Sequence, residues 1–233
     1  MSKINSNILK PNQNEINAIK LNVSSIGVIG GLISIEHGFF ETLQGNTPTN
    51  GIIINAIAPN QGYWEDGGEL AMTLIPNFLI TGIVAMIIGL LVILWSLKYV
   101  DKKGGGLGLL FLQILQLLFG GGIAFFILGV IISFTAFEIN KPLNFWKRYL
   151  SGKFGFFISK IWKKGLIISV ILFSITVLGG IFGVPFLTTN DAIPFLTNLG
   201  LFSLIFMLFT IIFGFAHKIQ NNFKLTPLTI DSQ

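Results

Sequence analysis

The sequence predicts an all-α integral membrane protein: a helical bundle of four full spans plus a fifth apolar segment that glycines interrupt. Two observations support this fold class. Of the residues, 52% are hydrophobic and only 11% are charged, whereas soluble domains carry about 25% charged residues. The apolar residues also form runs of about 20 or more, long enough to cross about 30 Å of hydrocarbon as helices. They do not alternate with polar residues as membrane β-strands would.

Four of these runs have the length of a full span. They cover about 21–43, 72–97, 165–187 and 195–217. The first follows a polar tail, 1–20, and lacks a small-x-small cleavage pattern, so we expect a retained anchor and not a signal peptide. We therefore predict a single membrane domain over 21–217, followed by a polar tail at 218–233.

The fifth run, 106–137, is too long for one ordinary crossing. As a straight helix it would measure about 48 Å and would need a tilt beyond the usual range of about 0–40°. Gly120, Gly121 and Gly122 lie near its middle, where each glycine costs roughly 1 kcal/mol in a helix and permits a turn. The run is therefore either a hairpin that returns to the side it entered, or a single overlong span.

The Lys and Arg residues favour the hairpin. None of the fifteen lies in 44–70 or 188–194. A hairpin puts all fifteen on one side of the membrane, whereas a single span divides them nine to six. Because basic loops stay in the cytoplasm, we expect both termini there, in the plasma membrane of a prokaryote; the fourteen Lys against one Arg are typical of an AT-rich prokaryotic genome. The opposite, outer side then carries only acidic charges: Glu65, Asp66, Glu69 and Asp191.

Segment 143–164 predicts an interfacial amphipathic helix. Six apolar residues recur on one face of a helical wheel, and the Lys and Arg residues avoid that face. This pattern is typical of a helix that lies in the cytoplasmic interface against anionic lipid headgroups. Gly152 and Gly155 are points at which it could break. The expected partners are the bilayer and these headgroups, and no nucleic acid.

Ionisable residues near the end of the first span are the candidate functional cluster. Small residues at 27, 31, 34 and 38 form a stripe along which another helix can approach closely. His37, Glu41 and Gln44 lie beside this stripe, and Glu36 points away from it. Charged side chains inside a span cost about 2.5–3.5 kcal/mol on insertion scales and are expected to face protein or water. We therefore predict that the first helix is central and surrounded on all sides.

The residues after the outer loop complete the predicted pocket. Pro76 removes a backbone donor and would free the carbonyl of Met72 in a helix, and opened helix turns of this kind often line ion or substrate sites. We predict one outward-facing pocket from six residues: Glu36, His37, Glu41, Gln44, Glu69 and Asn77.

Three functions compete for this pocket. The first is binding of a cation, proton or small polar ligand, as in a transporter or transporter subunit; with no inverted repeat in the sequence, a second copy or a partner membrane subunit would then be expected. The second is a structural or assembly protein, in which a buried His37–Glu41 ion pair orders the bundle. The third is a metal-dependent membrane enzyme with a divalent metal on His37, Glu41 and Glu69. The chain has no cysteine and no serine triad, and nothing in the sequence requires a cofactor.

Overall fold

The structure is a computed structural model that describes residues 17–58, 61 and 69–224. The predictions for Glu65, Asp66 and most of the two tails lie outside these residues. The described chain forms seven helices and one two-stranded sheet. In chain order they are α1 (Ala18–Leu43), β1 (Ile53–Ile57), β2 (Glu69–Met72), α2 (Phe78–Lys98), α3 (Gly105–Leu118), α4 (Ile123–Ala136), α5 (Asn144–Leu150), α6 (Lys153–Phe182) and α7 (Thr189–Lys224).

Four of the helices in the described part of the chain have the length and apolar composition needed to cross a membrane. They are α1, α2, α6 and the part of α7 from Asn190 to Asn221. The prediction of four span-length helices is therefore confirmed, with shifted ends. The predicted third full span, 165–187, begins earlier, at Lys153, and ends at Phe182, while the predicted fourth, 195–217, is longer at both ends.

The predicted all-α bundle is confirmed, and a short two-stranded sheet that was not predicted is added to it. This sheet corrects the start of the predicted span 72–97. β1 and β2 pair antiparallel, with Ile53 opposite Met72, and α2 begins only at Phe78. Asn77 caps α2 by accepting a hydrogen bond from the backbone N–H of Ile80 at 3.1 Å. Pro76 therefore precedes the helix and opens no helical turn. The apolar run was ambiguous because a short buried strand and a helix start have the same composition, and the asparagine cap decided the boundary.

The apolar run 106–137 is a hairpin of two 14-residue helices, α3 and α4. Gly120 and Gly122 turn the chain with φ of +89° each. Near the open end of the hairpin, Gly106 lies against the carbonyl oxygen of Ser133. Each arm is about 21 Å long at 1.5 Å per residue, shorter than a full crossing. The hairpin alternative is therefore the one that the structure shows.

The predicted interfacial helix 143–164 is wrong as a single helix. The chain breaks at Ser151 and Gly152, so that α5 is a separate seven-residue helix and the remainder is the start of α6. At Gly155 an added Cβ would overlap the carbonyl group of Leu150. The two helices meet at a corner too tight for a larger residue, and this is why the amphipathic pattern does not continue as one rod.

Helix α1 is the most buried of the four span-length helices. In its most apolar window 67% of the residues are buried, against 33–44% in the other three. It packs against α2 along its length and also against α4, α7 and β1. It is not surrounded on all sides, however, since Leu32 is 53% exposed, Phe39 50% and Leu43 59%. The prediction that α1 is surrounded on all sides is therefore wrong for this face. It stays exposed because α6 and α7 pack mainly on each other and do not cover it.

The charged residues of the described bundle separate into a basic group at one end and an acidic group at the other. At the basic end, Lys20 pairs with Asp101 at 2.8 Å, Asn140 donates to the carbonyl oxygen of Asp101, and Lys218 donates to that of Ile139. The start of α1, the end of α2 and both ends of the α3–α4 hairpin meet here. The described Lys and Arg residues all belong to elements that meet at or near this end. Glu36, Glu41 and Glu69 lie at the opposite, acidic end.

Candidate functional site

A cavity of about 510 Å³ opens between α1, α4 and the α6–α7 pair at the acidic end, with β2 at its edge. Its ionisable wall consists of Glu36, His37 and Glu69. The other walls are mostly apolar side chains from α4, α6 and α7, among them Phe125, Phe173, Val177, Leu196 and Leu204. The structure thus brings three of the six predicted pocket residues to one cavity.

Glu36 and His37 reach this cavity from adjacent positions on α1. The His37 imidazole is 3% exposed, and its Nε2 lies 2.8 Å from Oε2 of Glu69. Since a carboxylate only accepts, the imidazole donates this hydrogen bond. Glu36 is partly buried and accepts no hydrogen bond from a residue that the structure describes. Among the described residues, the wall therefore contains one carboxylate with a hydrogen-bond partner, that of Glu69, and one without, that of Glu36.

Glu69 begins strand β2 and is held by His37 across the edge of the cavity. Burial raises the pKa of the Glu69 carboxyl, but the hydrogen bond from His37 and the charge of that imidazole lower it further, and the result is a pKa below its usual value. Half of the Glu69 side chain is exposed. The site thus includes an ionised carboxylate at its mouth.

Glu41 lies outside the cavity, behind the tip of the α3–α4 hairpin. It is fully buried, and neither carboxylate oxygen meets the geometry of a hydrogen bond with any of the described residues. A Cβ added at Gly120 would lie 2.5 Å from its Oε1, and one added at Gly122 would lie 2.5 Å from Nδ1 of His37. The glycine tip thus packs against both side chains. The His37–Glu41 ion pair expected from their i, i+4 spacing is wrong, because the partner of His37 is Glu69.

Gln44 and Asn77 lie away from the cavity and fix the loop after α1. The Gln44 side chain donates to the carbonyl oxygens of Asn55 and Ala56 at 2.9 and 3.1 Å. The Asn77 side chain donates to Oδ1 of Asn46 at 2.6 Å. Both therefore position the sheet and the start of α2, and their predicted role in the pocket has no geometric support.

The predicted metal site is not assembled. No group of three His, Asp or Glu side chains that could hold a metal ion occurs among the described residues. His37 and Glu69 are together, whereas Glu41 lies against the hairpin tip. Two ligands from one strand and one helix leave a divalent ion without the third protein ligand that catalytic zinc sites have.

The structure also has a second cavity, of about 480 Å³, that the sequence did not predict. It lies between α1, α2 and α6, and its walls include Leu32, Phe39, Met86 and Phe182. It shares four lining residues with the first cavity, namely Ile33, Glu36, Phe173 and Val177. A cavity between apolar helices cannot be predicted from apolar residues, because the same residues occur in tightly packed interfaces. Glu36 is the one lining residue whose charge could have pointed to a cavity.

The polar groups on the far wall of the first cavity were also missed. Thr176 on α6 and Thr197 on α7 line it, and each hydroxyl donates back to its own helix, to the carbonyl oxygens of Leu172 and Ile193. Both hydroxyls keep a free acceptor lone pair, and neither carries charge. The arrangement as a whole is a mostly apolar cavity with negative charge on one wall. No protein-family model, curated protein or solved structure matches the chain.

Proposed function

We propose that the chain is an integral membrane protein that binds a cation, a proton or a small polar ligand in a pocket on the outer side of a prokaryotic plasma membrane. The observation that supports this function best is Glu36, a carboxylate without a hydrogen-bond partner among the described residues, in the wall of a mostly apolar cavity. Ionisable groups inside membrane segments are costly and most often mark ligand or proton pathways. A bound cation or proton would offset that cost.

The charge distribution supports the orientation. The described Lys and Arg residues belong to the basic end, which therefore faces the cytoplasm under the positive-inside rule. Each arm of the α3–α4 hairpin is about 21 Å long, so the hairpin enters from the basic end and its tip stops inside the membrane, beside the pocket. The pocket then opens toward the outer side.

The same orientation places α5 and the start of α6 at the inner interface. Phe145, Tyr149, Phe154 and Phe157 are exposed there, among Lys147, Arg148 and Lys153. Exposed aromatic rings interleaved with basic side chains are typical of a surface that contacts the headgroup region. Anionic lipid headgroups are therefore the partners that we propose for this surface.

The structure is closed on the cytoplasmic side of the pocket, as a transporter open only to the outer side would be. Toward the basic end α1 and α7 touch directly, where the Asn22 side chain donates to the carbonyl oxygen of Thr210 at 2.5 Å, and Gly214 packs against Asn22. A transporter or transporter subunit would have to open this contact to release ligand inward, with a second copy or a partner subunit as the fixed element.

A calorimetric titration tests the binding proposal. Purified protein in lipid nanodiscs would be titrated with sodium, potassium and methylammonium chloride at several pH values. Because a hydrogen bond to a charged group contributes about 1.5–3 kcal/mol, Glu36→Gln is expected to weaken binding at least about tenfold. Glu138→Gln is the matched control, since Glu138 lies at the basic end and pairs with Lys141 at 2.9 Å.

The structural alternative predicts a different result. The His37–Glu69 bond joins α1 to β2 across 32 residues of sequence, as a purely structural cluster would. If wild type binds none of the cations and releases no proton, and if Glu36→Gln changes only the melting temperature, then the cluster orders the bundle and the binding proposal is wrong.

A further inference from the structure

We infer that the ligand of this pocket is a cationic amphiphile, an amine with a long apolar body whose ammonium group binds Glu36. This inference rests on the proposed function and specifies its ligand class. The geometry that carries it is the meeting of the two cavities at one carboxylate. Glu36 lines both cavities, together with Ile33 on its own helix and with Phe173 and Val177 on α6.

The size and lining of the two cavities suit a largely apolar molecule. Volumes of about 510 and 480 Å³ each lie within the range of about 300–1,000 Å³ for small-molecule sites. An inorganic ion would fill a small part of this space and would need several oxygen ligands. The described walls offer the carboxylates of Glu36 and Glu69 and two threonine hydroxyls. An ammonium group needs only a few acceptors, and its apolar body would cover the remaining walls.

The charges facing Glu36 favour a cation over an anion. On its own helix the nearest ionisable neighbour is His37, which is hydrogen-bonded to Glu69 of β2. Helices α6 and α7 contribute only uncharged side chains to the cavity, and α4 contributes apolar ones. Two carboxylates thus face one imidazole, and no described Lys or Arg lies at this end. A carboxylate or phosphate headgroup would meet like charge.

The openings of the cavities suit a molecule that is half in lipid and half in water. Leu32, Phe39 and Phe182 form the outer wall of the second cavity and are 53%, 50% and 80% exposed. They lie on the perimeter of the bundle, which an acyl chain can reach from the side. Glu69, at the edge of the first cavity, is half exposed at the end of the bundle. The amine would therefore approach from the outer interface and the tail from the bilayer.

Four probes test the ligand class: dodecylamine, dodecanol, dodecanoate and methylamine. The three C12 compounds share a tail, so differences between them report the headgroup. Binding would be measured by equilibrium partition of labelled probe into nanodiscs with and without the protein. We expect saturable binding of dodecylamine, at least about tenfold tighter than that of dodecanol or dodecanoate, and a loss of at least tenfold in Glu36→Gln.

A second variant tests the path of the tail. Val177→Phe fills the junction of the two cavities and is expected to lower the ratio of dodecylamine to methylamine affinity by at least about fivefold. Ile175→Phe is the matched control, because Ile175 is an exposed residue of the same helix and lines neither cavity, so this ratio should not change. Melting temperatures of all variants establish that each one is folded.

The outcomes separate the two proposals. If dodecanol binds as tightly as dodecylamine, an ordinary lipid tail occupies the groove and the inference is overturned. If methylamine or an inorganic cation depends on Glu36 but dodecylamine does not respond to Val177→Phe, the ligand class is wrong while the proposed function stands. If no amine and no inorganic cation binds, both proposals fail.

Discussion

Helix α1 has two very different neighbours, α2 on one side and the α6–α7 pair on the other. Against α2 it packs so closely that the glycine backbones touch. On the side that faces α6 and α7 it leaves two cavities, each of several hundred cubic ångströms, with α4 at the edge of the first and α2 at the edge of the second. One helix thus presents a rigid face and an open face, and the ionisable groups that line the cavities lie on the open side.

The rigid face depends on small residues that recur along both helices. On α1, Gly31 lies against the backbone of Gly89, and Gly38 against that of Gly82. Between these two contacts the Ser34 hydroxyl donates to the carbonyl oxygen of Ala85 at 3.0 Å. Close van der Waals packing between small residues and interhelical hydrogen bonds are the interactions that hold apolar helices to one another where the hydrophobic effect between them is weak. This pair is therefore the scaffold on which the site is built.

The open face has bulky side chains and no such stripe. Opposite Ile33 and Glu36, helix α6 presents Phe173 and Val177, and these four residues line both cavities. A packing gap normally loses stability, because its lining atoms lose their neighbours. A gap beside Glu36, which has no hydrogen-bond partner in the described part of the chain, is the place where a ligand would restore both packing and charge balance.

The largest expected effect breaks the rigid face. In Gly38→Leu the added Cβ would overlap the carbonyl oxygen of Gly82, and a backbone atom cannot move aside as a side chain can. We expect destabilisation at or above the upper end of the 1–3 kcal/mol that is typical of overpacked interiors, seen as lost thermal stability in detergent. Leu32→Phe, on the open face, is the control and should melt near the wild-type temperature. Equal melting of both variants would contradict the comparison.

The second effect concerns the hairpin tip that supports the open face. Gly122 has φ +89° and ψ 137°, and a Cβ there would also collide with the His37 ring. We expect Gly122→Ala to be destabilising for two reasons, this backbone conformation, which glycine alone adopts readily, and the collision with the imidazole ring. His37→Ala removes the ring and leaves the backbone conformation as it is, so Gly122→Ala should cost less stability in the His37→Ala background than in wild type. If the cost is the same in both backgrounds, the tip does not press on His37.

The sequence predicted the close packing and the hairpin turn better than the strands and the surroundings of Glu41. The stripe at 27, 31, 34 and 38 and the glycines at 120–122 were informative, because only small residues allow such approach and such turns. The strands were missed because four or five apolar residues fit a strand or a helix equally well. Glu41 was misplaced because its i, i+4 relation to His37 describes one helix alone. The hairpin tip that separates the two side chains comes from 80 residues farther along the chain.

A third, smaller effect is the pH dependence of stability that Glu69 gives to the open face. Glu69 has a lowered pKa in the folded protein because the hydrogen bond and charge of His37 outweigh burial. Its carboxylate therefore stabilises the fold above the ordinary carboxyl pKa of 4.5, and this contribution is lost as the pH falls below that value. We expect Glu69→Gln to lose about 1 kcal/mol at pH 7, a small value because half of the side chain is exposed and water screens its charge. The difference from wild type should shrink as the pH falls below 4.5. Thermal unfolding across this range measures the difference. A constant gap at every pH would mean that the ionised carboxylate contributes nothing.

The smallest expected effect lies at the basic end, away from both faces. The Lys20–Asp101 pair is partly exposed, at 38% and 23% of the two side chains, and the hydrogen bond from Lys20 lowers the pKa of the Asp101 carboxyl. Surface pairs of this kind contribute about 0–1 kcal/mol, so Lys20→Met should shift the melting temperature little and less still at high salt, where screening already weakens the pair. Ligand binding at the acidic end should not change, because the pair lies at the other end of the bundle from Glu36. A loss of amine binding in Lys20→Met comparable to that in Glu36→Gln would mean that the two ends are coupled, and that the open face is not an independent site.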